Sequence, residues 1–460
     1  MPFTPTLAET RFGVGLSPRV SPPETTAAML DRLAGPDLVA QRYAIPNSTE
    51  VTPSASEYSA AARARREASG TPREEEADKA FKAIRTQAMI RWAEFSTIAL
   101  ARSIETQDGL RERLVRFWAD HFTIRAKGGQ NLQFVPIYIE EAIRPHVTGR
   151  FSDMLKAVIT HPRMLIYLDQ NRSFGPNSKR AERLGRGGLN ENLARELLEL
   201  HTLGVDGPYT QHDVRELAEL LTGLSHDGDR QFDFRGHYAE PGAETVLGQS
   251  YGGDKPSLSD IHAVLDDLAA HPATAEHLSR KLARHFIADV PPDDLVMALS
   301  ATYRETGGAL LAMAATLVGH PLSWSVEKQK VKQPYDFVES ALRAVDVAPQ
   351  KLLALDRKEV QRYLHRPLTV MGQSPRGPVG PDGWPEEAEA WVTPQGMAGR
   401  IDWAMRLPVV LGPDLPDPRR FVHGALGPEP DEAVVFAAGA AETPAEAIGI
   451  VLASPDFQRR

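Results

Sequence analysis

Residues Gly187–Ser225 read GGLNENLARELLELHTLGVDGPYTQHDVRELAELLTGLS, which is a helix, a turn and a second helix. Asn190 is a suitable N-cap, and Glu191 in the first turn suits the positive helix end. Leu193, Ala194, Leu197, Leu198 and Leu200 then form one broad apolar arc, as the buried side of a packed helix requires. At about 100° per residue, Glu191, Arg195 and Glu199 stack four apart on the other side, and His201 falls inside the apolar arc. Gly204 is a natural stop, and Asp206-Gly207-Pro208 are turn-formers. Thr210 with Asp213 three residues on is a variant of the capping box, so a second helix starts there. Val214, Leu217, Ala218 and Leu221 keep the i, i+3, i+4, i+7 spacing, and Gly223 ends it.

Helical spacing extends outward from this pair in both directions. Residues 73–105 read as one long helix carrying Phe81, Trp92, Phe95 and Leu100, a load that needs several neighbours to bury it. Residues 108–122 place Leu110, Leu114, Phe117, Trp118 and His121 on one stripe. Asn47–Thr71 is polar, either a solvated segment or a polar helix. After the pair, Phe232 and Phe234 alternate in Gln231–Phe234, which with Thr245–Leu247 suggests a small β-hairpin, His237 lying between them. From Leu258 onward helices resume. A helical run ending in His-Pro or Ser-Pro recurs as VITHP, LAAHP, LVGHP and VLASP, read as one helix ending and Pro opening the next. The fold class predicted is all-α: one large multi-helix domain over residues 1–460, with a small β-hairpin insertion and a soft boundary near residue 230.

The signature stretch is also similar to that of a bacterial family, domain-of-unknown-function family eighteen-hundred. RFGVG (Arg11–Gly15), RLVRFWADHFTI (Arg113–Ile124), HPRMLIYLDQNRSFGPN (His161–Asn177), VLGQSYGG (Val246–Gly253), HPATAEHLSRKLARHFI (His271–Ile287), GPDGWP (Gly380–Pro385) and ASPDFQRR (Ala453–Arg460) fall in the family's order. The resemblance covers nearly the whole chain and implies no particular reaction. Genes of the family often lie beside genes for a sulfatase- or alkaline-phosphatase-like family, so the resemblance implies a protein partner of that kind.

Composition narrows the function classes. A net charge of −9 argues against nucleic acid as the main partner, because a phosphate-binding surface needs a basic excess. The absence of cysteine excludes disulfides, thiolate metal sites and a Cys nucleophile. The first residues, MPFTPTLAETRFGVGLSPRV, lack a basic region followed by an apolar run, so no signal peptide is read and the cytoplasm is the expected compartment, although relatives often look exported. No apolar run approaches 18 residues, so no membrane span is expected. Gly-x-Ser-x-Gly, the P-loop and a dinucleotide-binding context are missing.

Two constellations remain. His121 and His201 on apolar helix faces, with Glu196 nearby and His237 in the following loop, are candidate ligands for a divalent metal, since neutral imidazole among apolar residues with carboxylates near is how such sites are built. The spacing ELLELH matches no zinc or di-iron pattern, and a satisfied core histidine is the competing reading. A shared ion predicts that His121, Glu199 and His201 converge within roughly 5 Å. Two facing histidines would also suit haem, though Cys-x-x-Cys-His is lacking. The second constellation is Glu191, Arg195 and Glu199, either a solvated ladder or the catalytic carboxylates and anion clamp of a cleft. The long Arg-rich segment Asn171–Gly188 leads into it and is expected to be exposed. Three functions follow: a hydrolase or metal-assisted enzyme sited at the signature pair, a non-catalytic assembly factor for the sulfatase-like partner, or a haem-binding protein.

Overall fold

The computed structural model describes residues 3–325, 327–411 and 415–460. Helix accounts for 61% of the protein and strand for 5%, the all-α architecture that the spacing predicts.

Helix α1 (Glu74–Glu105) opens with three glutamates against its positive end. Its largely exposed first half packs Phe81 on Tyr58 of the polar helix Ala55–Ala68, ring centroids 5.3 Å apart, so most of the Asn47–Thr71 segment is helix rather than loop. Its second half is buried through Trp92, Ala93, Phe95, Leu100 and Ile104. Helix α2 (Gly109–His121) starts at Asp108, whose side chain accepts from the amide of Arg111. Leu110, Leu114, Phe117 and Trp118 face inward, as their spacing requires.

The signature pair forms as read, with one difference. Helix α3 (Asn192–Glu196) starts where Asn190 Oδ1 accepts from the Asn192 amide at 3.0 Å, then widens over Leu197–His201 into a turn of i→i+5 bonds. Gly204 at φ +90° ends it. Helix α4 (Gln211–Leu220) opens on the reciprocal bonds of Thr210 and Asp213. The strands that follow make two ribbons: β1 (Leu224–His226) pairs antiparallel with β2 (Phe232–Phe234), and β3 (Gly242–Val246) with β4 (Gln249–Gly253). The Phe232 and Thr245 stretches therefore belong to separate hairpins. Each tight turn had its own partner strand nearer in sequence than the one the alternation suggested.

In the Arg-rich segment, the Phe174 ring covers Gly188, where any Cβ would collide with it, and Asn177 donates to Glu240 at 2.5 Å. Its longest unbroken exposed run is 182–187. The segment is thus anchored at both ends and solvated at its tip.

Helix α5 (Pro272–Phe286) and helix α6 (Pro334–Ala344) frame the remainder. At each His-Pro or Ser-Pro echo the polar residue caps the helix that proline opens: His161, His271 and His320 accept through Nδ1, and Ser454 through Oγ. Two large apolar cores result, with a small third cluster around Phe95, Phe134 and Ile137. The first runs from Leu7 to Trp324 in sequence and includes residues on both sides of position 230; the second joins the end of α1 to α6 and the helices after it. Between them Arg343, fully buried, donates to the carbonyls of Gly15 at 2.9 Å, Ser103 at 2.8 Å, and Ile104 and Thr106 at 2.9 Å, which closes the C-terminal end of α1.

Candidate functional site

On the signature helix the Glu191–Arg195–Glu199 ladder faces outward. Arg195 reaches Glu191 at 3.2 Å and Glu199 at 3.3 Å, and it also donates to Gln211 of α4 at 3.0 Å. The three side chains are 35%, 38% and 26% exposed. Such i, i+4 pairs in solvent are worth a few tenths of a kcal/mol each.

The predicted metal ligands are only partly brought together. His121 and His201 are buried with ring centroids 6.0 Å apart, and His121 Nε2 lies 3.2 Å from the His201 carbonyl, to which it can only donate. A third imidazole, His277, does the same to the Leu200 carbonyl at 3.1 Å and lies 6.2 Å from His121. Burial, together with the nearby Lys281 charge, pushes His201 down to about 3 and His277 down to about 4, and lowers His121, so all three are neutral rings at pH 7. Glu199 bonds to Arg195 instead of meeting them. Glu196 is half-buried, its carboxyl raised by burial and by Glu199. His237 is exposed, edge-on to Tyr238 at 4.7 Å. Among the described residues one group of three brings possible ligand atoms within 4.8 Å of one another, Glu216, Glu219 and Glu244, and none of the four predicted ligands is in it. Glu244 is pushed up to about 8 by burial and its two neighbours, so it is a neutral acid at pH 7, which lessens the repulsion within that group.

A well-formed concave feature lies elsewhere. A cavity of about 310 Å³ opens between α1, α2, residues 135–144 and the segments 333–336, 364–378 and Trp384. Its size is at the small end of ligand pockets, roughly 300–1,000 Å³. Trp92, Phe95, Ile124, Val135, Leu364 and Leu368 give it apolar walls that draw on both large cores and the small cluster. One polar stripe crosses it. Glu112, Arg116 and Asp120, four apart on α2, share the face opposite the apolar stripe.

Each member of the stripe is held from another element. Glu112 takes both arms of Arg144, at 2.8 and 2.9 Å, and Arg144 also meets Asp37 at 2.8 Å. The guanidinium holds the Glu112 carboxyl below its usual range against the opposing effect of burial. Arg102 binds Glu140 at 2.7 Å. Arg116 pairs with Glu339 of α6 at 2.5 Å, with Asp336 Oδ1 3.6 Å from its Nε. Arg113 and Arg460 meet Asp336 at 2.5 and 3.0 Å.

Asp120 is the most altered of the three. The amide of Trp384 donates to it, and the preceding residue, Gly383, runs against the carboxylate at φ +86°; a Cβ there would lie 2.7 Å from Asp120 Oδ2. Burial nevertheless pushes the carboxyl up to about 7, overriding the Trp384 bond and the Lys281 charge. On the opposite wall, His365 Nε2 lies 3.0 Å from Ser96 Oγ and its ring packs on Trp92 at 4.1 Å. Burial pushes this imidazole down to about 4.

Sequence reasoning found the apolar side of α2 but passed over its polar side. The available signal was the repeat of the same four-residue charge spacing at Glu112, Arg116 and Asp120 as at Glu191, Arg195 and Glu199. No helix among the described residues is long and apolar enough to cross a membrane. No curated protein and no solved structure matches the chain. Two motifs that line the cavity, Arg113–Ile124 and Gly380–Pro385, are among those through which the sequence resembles its family, and a family model described as a protein of unknown function, DUF1800, matches residues 8–459. The chain belongs to the DUF1800 family.

Proposed function

We propose that the cavity is an active site in which a small organic substrate is hydrolysed with Asp120 as the proton-transfer group. The observation that supports this is the Asp120 carboxyl, seated in the cavity wall, fixed by the Trp384 amide, and pushed up to about 7 by burial. A general base works best with a pKa near the working pH, and burial supplies that here. Once ionised, Asp120 takes a proton from water as the water attacks an acyl carbon, and returns it to the leaving group. Arg116, one turn away, faces the charge that develops on the substrate. The site thereby differs from one on the exposed signature ladder, whose residues do not line the cavity.

The test is turnover of p-nitrophenyl acetate, butyrate and octanoate by the full chain. Hydrolysis should rise as pH increases through about 7 and be lost in Asp120→Asn. No turnover by the wild type, or turnover unchanged by Asp120→Asn, would sink the proposal.

A further inference from the structure

The polar groups of the cavity are unequally committed, and the inequality identifies a ligand. Arg102 gives Nε and Nη2 to the Tyr43 carbonyl and Nη1 to Glu140. Arg144 gives Nε to Glu140 and both terminal nitrogens to Glu112 and Asp37. Arg116 differs from both. Among the described residues it donates only to Glu339, through Nη2, its Nε has no acceptor at hydrogen-bond distance, and its side chain is 23% exposed. It is the cavity arginine with donors to spare.

Around α6, the three guanidiniums of Arg113, Arg116 and Arg460 face two carboxylates, Asp336 and Glu339, which leaves one positive charge over. The adjoining network has the reverse imbalance, Arg102 and Arg144 against Glu112, Glu140 and Asp37, but Asp37 does not line the cavity and the other two are already bonded. Glu339, Asp336 and Glu112 hold the Arg116 charge against burial, so what the guanidinium lacks is acceptors for its remaining N–H groups. Beyond it the walls are apolar, through Trp92, Phe95, Leu364 and Leu368.

Resting on the reading of this cavity as the functional site, we propose that its ligand is a small apolar carboxylic acid or its acyl derivative, the carboxyl group bound by Arg116 and the hydrocarbon part by the Trp92–Leu368 wall. A carboxylate accepts from a guanidinium fork through two oxygens, which suits the free Arg116 donors. The cavity volume limits the hydrocarbon to a short or medium chain or a single ring. Ionised Asp120 and Glu112, on the same face, oppose the ligand charge, so affinity falls as Asp120 ionises.

Calorimetry on the full chain with sodium octanoate, 1-octanol, octylammonium and octyl phosphate tests the assignment. Octanoate should bind about tenfold or more tightly than octanol, the worth of one charge-assisted hydrogen-bond pair. Octylammonium and octyl phosphate should bind more weakly than octanoate. Arg116→Gln should bring octanoate down to the level of octanol, and Ala99→Phe, which fills the cavity from the α1 wall, should abolish both. If Arg116→Gln does not fold, Arg116→Lys keeps the charge without the fork and should bind octanoate several-fold more weakly. Equal binding of octanol and octanoate by the wild type, a preference for octyl phosphate or octylammonium, an octanoate preference that survives in the Arg116 variant, or no binding of any probe would overturn the assignment. Ester hydrolysis that depends on Asp120 alongside failed octanoate binding would refute the ligand class and leave the catalytic reading standing; the converse result would separate them the other way.

Discussion

The Trp384 amide lies 3.0 Å from Asp120 Oδ1 and 3.2 Å from Oδ2, across 264 positions of sequence. Gly383, at φ +86°, is what allows the approach. Replacing it with alanine puts a Cβ against the carboxylate and forces an L-residue into a left-handed conformation. Gly383→Ala should therefore cost about 1–3 kcal/mol in urea unfolding and change Trp384 fluorescence as the loop lifts. An unchanged midpoint and spectrum would show that the loop does not depend on this contact.

The pH dependence of stability carries the mark of Asp120. Its folded-state carboxyl is raised from 3.8 to about 7, so the fold favours the protonated form. That contribution is fully present below about pH 4 and is lost as pH rises through about 7. Glu339, also raised to about 7, has the same sign and window, so the comparison must be with Asp120→Asn and not with the wild type alone. The stability difference between the two proteins should move in favour of Asp120→Asn across that interval. A constant difference would place the carboxyl at its ordinary value.

Arg144 offers a test of the buried network. It is the partner of Glu112, Glu140 and Asp37 together. Arg144→Met removes the guanidinium and leaves Glu112 buried without its countercharge, a loss of about 3–5 kcal/mol. Replacing Glu112 by glutamine in the same protein should recover part of it. Chemical denaturation of the single and double variants measures both.

Limited trypsin digestion should cut first at Arg183 or Arg186, within the exposed 182–187 tip. Cleavage on the Phe174 side should be slower, because the Phe174–Gly188 bridge and the Asn177–Glu240 bonds hold it. Mass spectrometry of the earliest fragments decides between them.

What could be read from sequence was whatever is encoded within a helix or across a turn. The Thr210–Asp213 box, the stops at Gly204 and Gly223, and the inward stripe of α2 depend on neighbours a few positions away. The cavity depends on distant ones. Glu112, Arg116 and Asp120 have the same spacing as Glu191, Arg195 and Glu199, and nothing local says that the first row is enclosed and the second is wet. Gly383 looks like any turn glycine until Asp120 is seen beneath it. His121 and His201 were correctly placed on buried faces, but the widened turn at Leu197–His201 presents the His201 carbonyl to His121, a backbone partner that residue spacing does not reveal.

Arg343 binds carbonyls from the Gly15 loop and from the end of α1 while its own helix lies in the second core. The Gly15 loop, which follows Phe12 of the first core, cannot part from the second without leaving a carbonyl and part of a buried guanidinium unpaired. The two cores should therefore melt in one cooperative step, and a cavity whose walls belong to both would then be lost only when the whole protein unfolds.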